Sequence, residues 1–295
     1  EVLEKTQSDL EKLSKNKGQI NGLETGWYDL DRLTTGLHPN ELIIIAARPA
    51  MGKTAFALNL ATHVAMTQEK TVALFTLEMP AEQVASRIIS AQGQIDGFKL
   101  RTGNLLNQDW KRINEAVSQL STTNLVIDDT PGITIGEIRA KCRRLASSEK
   151  GLALVMIDYL QLISGGKNYG TNRQQEVSDI SRSLKTLALE LGVPVIALSQ
   201  LSRSVEGRED KRPLMSDLRE SGSIEQDADI VAFLYRDDYY NKEARTEDNN
   251  SISELIIGKH RNGPTATIEL LFKKNTSTFL NLRKDRNEGE VEKSA

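Results

Sequence analysis

The chain has 295 residues, 38% hydrophobic and 5% aromatic, enough for one large α/β domain with a short appendage and a sizeable core, which excludes a disordered or fibrous class. Lys and Arg total 38 against 41 for Asp and Glu, so the net charge of −3 gives no global attraction to a polyanion, and any contact with nucleic acid must use a local patch. The single cysteine, Cys142, excludes an internal disulfide and a CxxC metal site, and with no apolar run of roughly 18 to 20 residues and no secretory opening, a soluble, cytoplasmic protein without a membrane partner is expected.

The chain opens at Glu1 rather than Met, as expected of the C-terminal part of a longer protein. From Glu1 to Lys15 the apolar Val2, Leu3, Leu10 and Leu13 mark a narrow stripe among charges, a short helix too weak to persist unpacked. Residues 1–20 are therefore expected to be a linker helix docked on its own domain or on a neighbouring subunit. After a loop-like stretch, Leu42, Ile43, Ile44, Ile45 and Ala46 form a wholly apolar run bounded by polar residues, the pattern of a buried parallel strand. Runs at 71–77, 124–128, 152–158, 193–198 and 229–235 repeat it, with helical stretches between most of them, as parallel strands require. The clearest helix covers Arg173 to Leu191, with Val177, Ile180, Leu184, Leu187 and Leu191 on one face and Gly192 as its stop. Beyond it, runs at 253–258, 266–272 and 278–282, separated by AsnGlyPro and LysAsnThr turns, predict antiparallel strands extending one sheet edge. The main domain then spans 21–283, and residues 284–295 are a charged tail expected to be disordered.

The chemistry starts after the first strand. Ala47, Arg48, Pro49, Ala50, Met51, Gly52, Lys53 and Thr54 lead into an apolar helix beginning near Ala55, the context of a loop that binds the phosphates of ATP. There, backbone N–H groups wrap the β-phosphate, Lys53 reaches the β and γ oxygens, and Thr54 ligates Mg²⁺. Ala47 stands where GxxxxGK[ST] has its first glycine, which is tolerable only if that position keeps an ordinary backbone conformation. Asp158 ends the 152–158 run and can hold the water shell of Mg²⁺. Asp128 and Asp129 end another run similarly, and the longer apolar run before Asp158 favours it. Glu78 ends the 71–77 strand ahead of a helix carrying Val84, Ala85, Ile88 and Ile89 on one face, and can orient or deprotonate an attacking water. The alternative is a dipole-favourable Glu near a helix start. Gln200 is either a sensor of the γ-phosphate or a solvated loop residue, and Lys259 and Arg261 read only as a basic strand end.

The order of ThrGlyTrpTyrAspLeuAsp at 25–31, the phosphate loop at 47–54, PheThrLeuGluMetPro at 75–80, ValMetIleAspTyrLeuGln at 155–161, SerGlnLeuSerArg at 199–203, residues 217–229 and LysHisArgAsnGlyPro at 259–264 resembles the DnaB-type bacterial replicative helicase, in its C-terminal domain with the preceding linker. The resemblance covers nearly the whole chain. It implies a RecA-like α/β core, with a twisted, mostly parallel sheet flanked by helices and antiparallel C-terminal edge strands. It further implies a homohexamer with ATP and Mg²⁺ between subunits, moving 5′ to 3′ on single-stranded DNA and served by a primase and a helicase loader. It assigns phosphate and Mg²⁺ binding to Lys53 and Thr54, metal support to Asp158, the catalytic carboxylate to Glu78 and γ-phosphate sensing to Gln200. Lys259 and Arg261 become a cationic piston and arginine finger entering a neighbour's site. DNA is expected at two central loops, Ser164 to Asn172 and Val205 to Ser223, the second carrying Arg203, Arg208, Lys211, Arg212 and Arg219. Arg219, Glu220 and Gly222 match the family's backbone-holding positions. Rival readings are a recombinase or phage primase-helicase of the same fold, and a nucleotide-regulated scaffold that hydrolyses ATP slowly.

Overall fold

Leu42 to Ala47 form β1, with every side chain buried, as suits a short, Ile-rich run whose backbone is paired on both sides in a sheet covered on both faces. The structure, a computed structural model, describes residues 19–165, 173–241 and 249–282 and isolated positions between Leu3 and Ser14. The expected linker helix and charged tail therefore fall largely outside the described residues. Around β1 the described elements run α1 (Tyr28–Thr34), α2 (Lys53–Thr67), β2 (Thr71–Thr76), α3 (Ala81–Gly93), α4 (Gly97–Thr102), α5 (Asn107–Ser121), β3 (Leu125–Asp128) and α6 (Ile135–Ala146). Then follow β4 (Leu152–Asp158), α7 (Arg173–Leu191), β5 (Val195–Gln200), α8 (Gly222–Asp227), β6 (Ile230–Tyr235) and α9 (Asp237–Tyr240). The antiparallel strands β7 (Asn250–His260), β8 (Thr267–Lys273) and β9 (Thr278–Asn281) close the chain order.

One nine-stranded sheet has the order β3-β2-β4-β5-β1-β6-β7-β8-β9. The strands from β3 to β6 pair in parallel and those from β6 to β9 antiparallel, which is the expected mixed sheet. Two apolar clusters cover its faces. One joins Phe56 and Leu60 of α2 to Phe272 and Phe279, and the other joins Cys142 of α6 to Val177 and Leu184 of α7. Trp27 stacks on Phe56 at 4.3 Å and its indole N–H donates to the Phe279 carbonyl, so the first and last parts of the domain clasp the helix that follows the phosphate loop. The clasp is prepared locally: Asp31 accepts from the Thr25 backbone and hydroxyl, both at 2.8 Å, and closes the turn before α1.

Two expectations change. The sequence predicts a wholly buried strand at 124–128, but β3 is the outer edge and Val126 is 40% exposed, since an edge strand has a neighbour on one side only. The fifth parallel strand is shifted from 193–198 to 195–200, so Gln200 ends it rather than following it. Among the described residues no helix is long and apolar enough to cross a membrane.

Candidate functional site

Parallel strands all end on the same side, and register shows what they deliver there. Ala47 is level with Gln200 across β1 and β5, and Thr76 with Asp158 across β2 and β4. The phosphate loop, Glu78, Asp158 and Gln200 thus meet at the C-terminal edge of the sheet, where open α/β sheets bind ligands. The loop, Glu78 and Gln200 line a cavity of about 1240 Å³.

Ala47 is paired on both sides, to Gln200 and to Leu234, and so has the ordinary strand backbone its side chain requires. The turn is made further on, at Ala50 (φ 67°) and Gly52 (φ 97°). A Cβ at Gly52 would lie 3.0 Å from Phe279, so both the backbone and the packing demand glycine there. Ala50 has no such freedom and is held from behind, its carbonyl accepting from Arg236 at 3.2 Å. Arg236 is itself fixed by Asp238 and Ser251, and Lys274 bonds Asp238 at 2.5 Å. Burial works against ionisation of Asp238, but hydrogen bonds from Lys274, Ser251 and Arg236 more than offset it and hold the carboxyl at about 2.

Lys53 opens α2 with its ammonium 4.5 Å from the centre of the Tyr159 ring. Burial lowers its pKa, while the charges of Asp158 and Glu78 pull it back up. The Thr54 hydroxyl donates to Asp158 Oδ2 at 2.7 Å. Asp158 Oδ1 is buried with no hydrogen-bond partner, an open acceptor beside the threonine that would face the phosphates. Among the described residues no group of three or more His, Cys, Asp or Glu could hold a metal. One carboxylate and one hydroxyl suit Mg²⁺, which takes few protein ligands and completes its shell with water and substrate phosphate. Glu78 is exposed just past β2, on a turn held by the Thr76 hydroxyl on the Met79 carbonyl and by the Leu77 N–H on the Asp158 carbonyl, both at 2.8 Å. Gln200 receives support from Gln161, whose amide donates to Ser199 Oγ at 2.8 Å.

The competing carboxylates lie elsewhere. Asp128, on the outermost strand, bonds Lys141 at 2.5 Å, and Asp129 accepts the Ala81 N–H that opens α3 at 2.9 Å. Arg48 belongs to the loop by its backbone, but its guanidinium turns to the Leu201 carbonyl at 2.7 Å and to Glu206 at 2.7 Å. Sequence reasoning passed over Arg236, Asp238 and Lys274, and the cavity wall supplied by Arg87, Phe98 and Arg101. The charged ArgAspAsp directly after the apolar run of β6 was a signal available for the first two.

Lys259 and Arg261 are not brought to this edge. His260 is level with Ile230 and Ala47 with Leu234, so they lie at opposite ends of β6, about 13 Å apart at the usual rise per residue. Burial and the neighbouring charge of Arg261 lower the Lys259 pKa. Of the expected DNA segments, residues 166–172 lie outside the described residues, as do the side chains of Arg219 and Glu220. Their backbone forms a 3₁₀ turn, Met215–Ser221, and Gly222 is the first residue of α8. Arg208 and Arg212 are engaged within the protomer, Arg208 on buried Asp217 at 2.8 Å and Arg212 on Glu254 at 2.7 Å.

A family model described as the DnaB-like helicase C terminal domain matches residues 22–281. The chain is 57% identical over 284 residues to the replicative DNA helicase DnaC of Bacillus subtilis (strain 168), which covers 96% of this chain and 62% of that relative. It is 55% identical over 291 residues to the replicative DNA helicase DnaB of Geobacillus stearothermophilus, covering 99% and 63%. Among solved structures, one described as an ATPase domain superposes with a TM-score of 0.89 at 42% identity, covering 96% of this chain and 99% of that one. "The Structure Of A DnaB-Like Replicative Helicase And Its Interactions With Primase" gives 0.87 at 43% identity, covering 95% and 66%. The chain spans a little under two thirds of the length of these two curated relatives. A RecA-like sheet, a phosphate loop at its carboxyl edge and identity above one half over nearly the whole chain lead to one conclusion: the chain belongs to the family of DnaB-like helicase C-terminal domains.

Proposed function

We propose that this chain is the ATP-driven motor of a replicative DNA helicase, assembled as a ring of six copies that moves 5′ to 3′ on single-stranded DNA and excludes the other strand. The observation that carries the reading is the unpartnered, buried Asp158 Oδ1 beside the Thr54 hydroxyl, at the foot of a phosphate loop in a chain of this family. Backbone N–H groups of residues 50–54 and the Lys53 ammonium bind the β and γ oxygens of ATP. Thr54 and Asp158 would hold Mg²⁺, which neutralises charge on the phosphates when bound. Glu78 orients the attacking water and accepts its proton, and Gln200 hydrogen-bonds the γ-phosphate and registers its loss. Lys259 and Arg261 lie at the opposite end of β6 from their own loop, which supports their action on a neighbour's transferring phosphoryl group.

The DNA strand is assigned to the segments 164–172 and 205–223, with Arg219, Glu220 and Gly222 holding its backbone regardless of sequence. Residues 1–20 are assigned to the surface of the next subunit. A primase and a loader are proposed as protein partners, the first because a structural relative is described with its primase interactions. The cytoplasm is the proposed location. Strand displacement on a forked duplex tests the motor: ATP and Mg²⁺ should release the strand from a fork with a 5′ tail and not from one with only a 3′ tail. ATP-dependent pairing of homologous strands without displacement would favour a recombinase, and slow hydrolysis with neither would favour a scaffold.

A further inference from the structure

The two cations assigned to the neighbour's site are not free at the end of β7. The Lys259 ammonium donates to the carbonyls of Glu225, in the last turn of α8, at 2.6 Å and of Ala228, just past its end, at 2.7 Å. Arg261 divides its guanidinium, Nη1 lying 3.0 Å from Asp229 Oδ1 while Nη2 donates to the Gln226 carbonyl at 3.1 Å. Asp229 is 4% exposed and anchored, its other oxygen accepting from the Leu42 N–H at 2.8 Å and the Lys185 ammonium at 2.6 Å. The finger therefore hangs between a carboxylate fixed to the start of β1 and a short helix. That helix begins at Gly222, directly after the 3₁₀ turn that carries Arg219 and Glu220. At its last residue Asp227 keeps one carboxylate oxygen buried without a partner, and its charge acts on Lys259. A second acceptor thus waits beside the cations, and a device with two discrete arrangements needs one.

We propose that α8 and Asp229 form a cradle that links DNA contact to the finger: a shift of residues 219–222 on a bound strand moves the last carbonyls of α8 and resets the reach of Lys259 and Arg261 into the neighbouring site. Asp229 is then a positioning residue that acts through Arg261. The inference rests on the trans reading of Arg261 given above. It predicts that the stimulus from DNA is delivered to the next subunit's ATP, not to the protomer's own.

Tethered pairs of subunits with one complete interface isolate the effect. Asp229→Asn in the subunit that donates Arg261 should slow the DNA-stimulated hydrolysis about tenfold with nucleotide affinity kept, and the same change in the subunit that supplies Lys53 should not. Equal loss from either position would indicate a general structural defect and overturn the proposal. Because Asp229 also anchors β1, the unmodified ring supplies an independent measurement by hydrogen exchange. Single-stranded DNA should change protection in peptides covering 222–229 and 257–264 together, and leave β8 unchanged. A change confined to the first peptide overturns the link. Arg261→Ala in the donor separates the two failures: if it leaves hydrolysis untouched, the trans reading fails, and if it slows hydrolysis while Asp229→Asn does not, only the cradle fails.

Discussion

Glu78 stands exposed at the cavity while Asp158 is buried beneath Thr54, and the two environments suit different work. An exposed carboxylate can take a proton from water and give it up again, whereas a buried one with an open oxygen suits a cation. Glu78→Gln should therefore keep nucleotide binding and lower phosphate release by about 10² to 10⁴, as measured in single turnover. Full activity in Glu78→Gln together with loss in Asp128→Asn or Asp129→Asn would reverse the assignment. Asp238 makes a prediction about acid. Its folded pKa, about 2, lies below the ordinary carboxylate value of about 3.9, so its contribution to stability is complete above the ordinary value and is lost as pH falls through about 2. Asp238→Asn leaves Arg236 buried without its counter-charge and should cost about 3 kcal/mol near neutral pH. The gap in melting temperature from the unmodified chain should close between about pH 4 and pH 2. A gap that persists unchanged at the acid end would remove charge from the account.

At the scale of elements, the segment from Leu201 to Ser221 shows cations spent on structure. Arg208 makes two bonds to the Asp217 carboxylate, which also accepts the Leu214 N–H at 2.7 Å. Arg208→Ala strands that buried acid and should destabilise the domain by about 2 to 3 kcal/mol, the upper range being reduced because Arg208 is 31% exposed. Arg203→Ala, on an exposed residue, should stay within about 0.5 kcal/mol in urea unfolding. Similar losses from both would mean that Asp217 is not the centre of the brace. The contrast also marks what the sequence could tell. β1, β4 and α7 were legible because each carries its instruction locally, a wholly apolar run or one apolar face closed by Gly192. The edge position of β3 was not, since an apolar run reads the same with one neighbour as with two. The phosphate loop and the end of β4 were legible by context, while Arg236 beneath Ala50 and Arg48 on Glu206 depend on partners 186 and 158 residues away. The basic pair 259 and 261 could be found but not explained, because its partners, the carbonyls of Glu225, Gln226 and Ala228 and the Asp229 carboxylate, are distant in sequence and mostly backbone, which no side-chain pattern announces.

For the whole molecule the decisive test is whether the site is shared. Arg261→Ala should bind nucleotide but hydrolyse it slower by about 10³ or more, as when an arginine finger is lost. Mixed with Glu78→Gln, it can form interfaces in which an intact Glu78 faces an intact Arg261, and some activity should return once native mass confirms that subunits have exchanged. If a tethered pair with one intact interface stays silent, the finger does not act between subunits. Sharing also shapes assembly. With the phosphate loop at one end of β6 and Lys259 and Arg261 at the other, a shared site would give each copy an acceptor side and a donor side, and such head-to-tail contacts close into rings or run on as filaments. A closed ring has as many complete sites as subunits, whereas an open one has one fewer. Parting a ring to admit a strand would then leave one loop without its neighbour's cations, and the gap itself would mark which subunit must wait until the ring reseals.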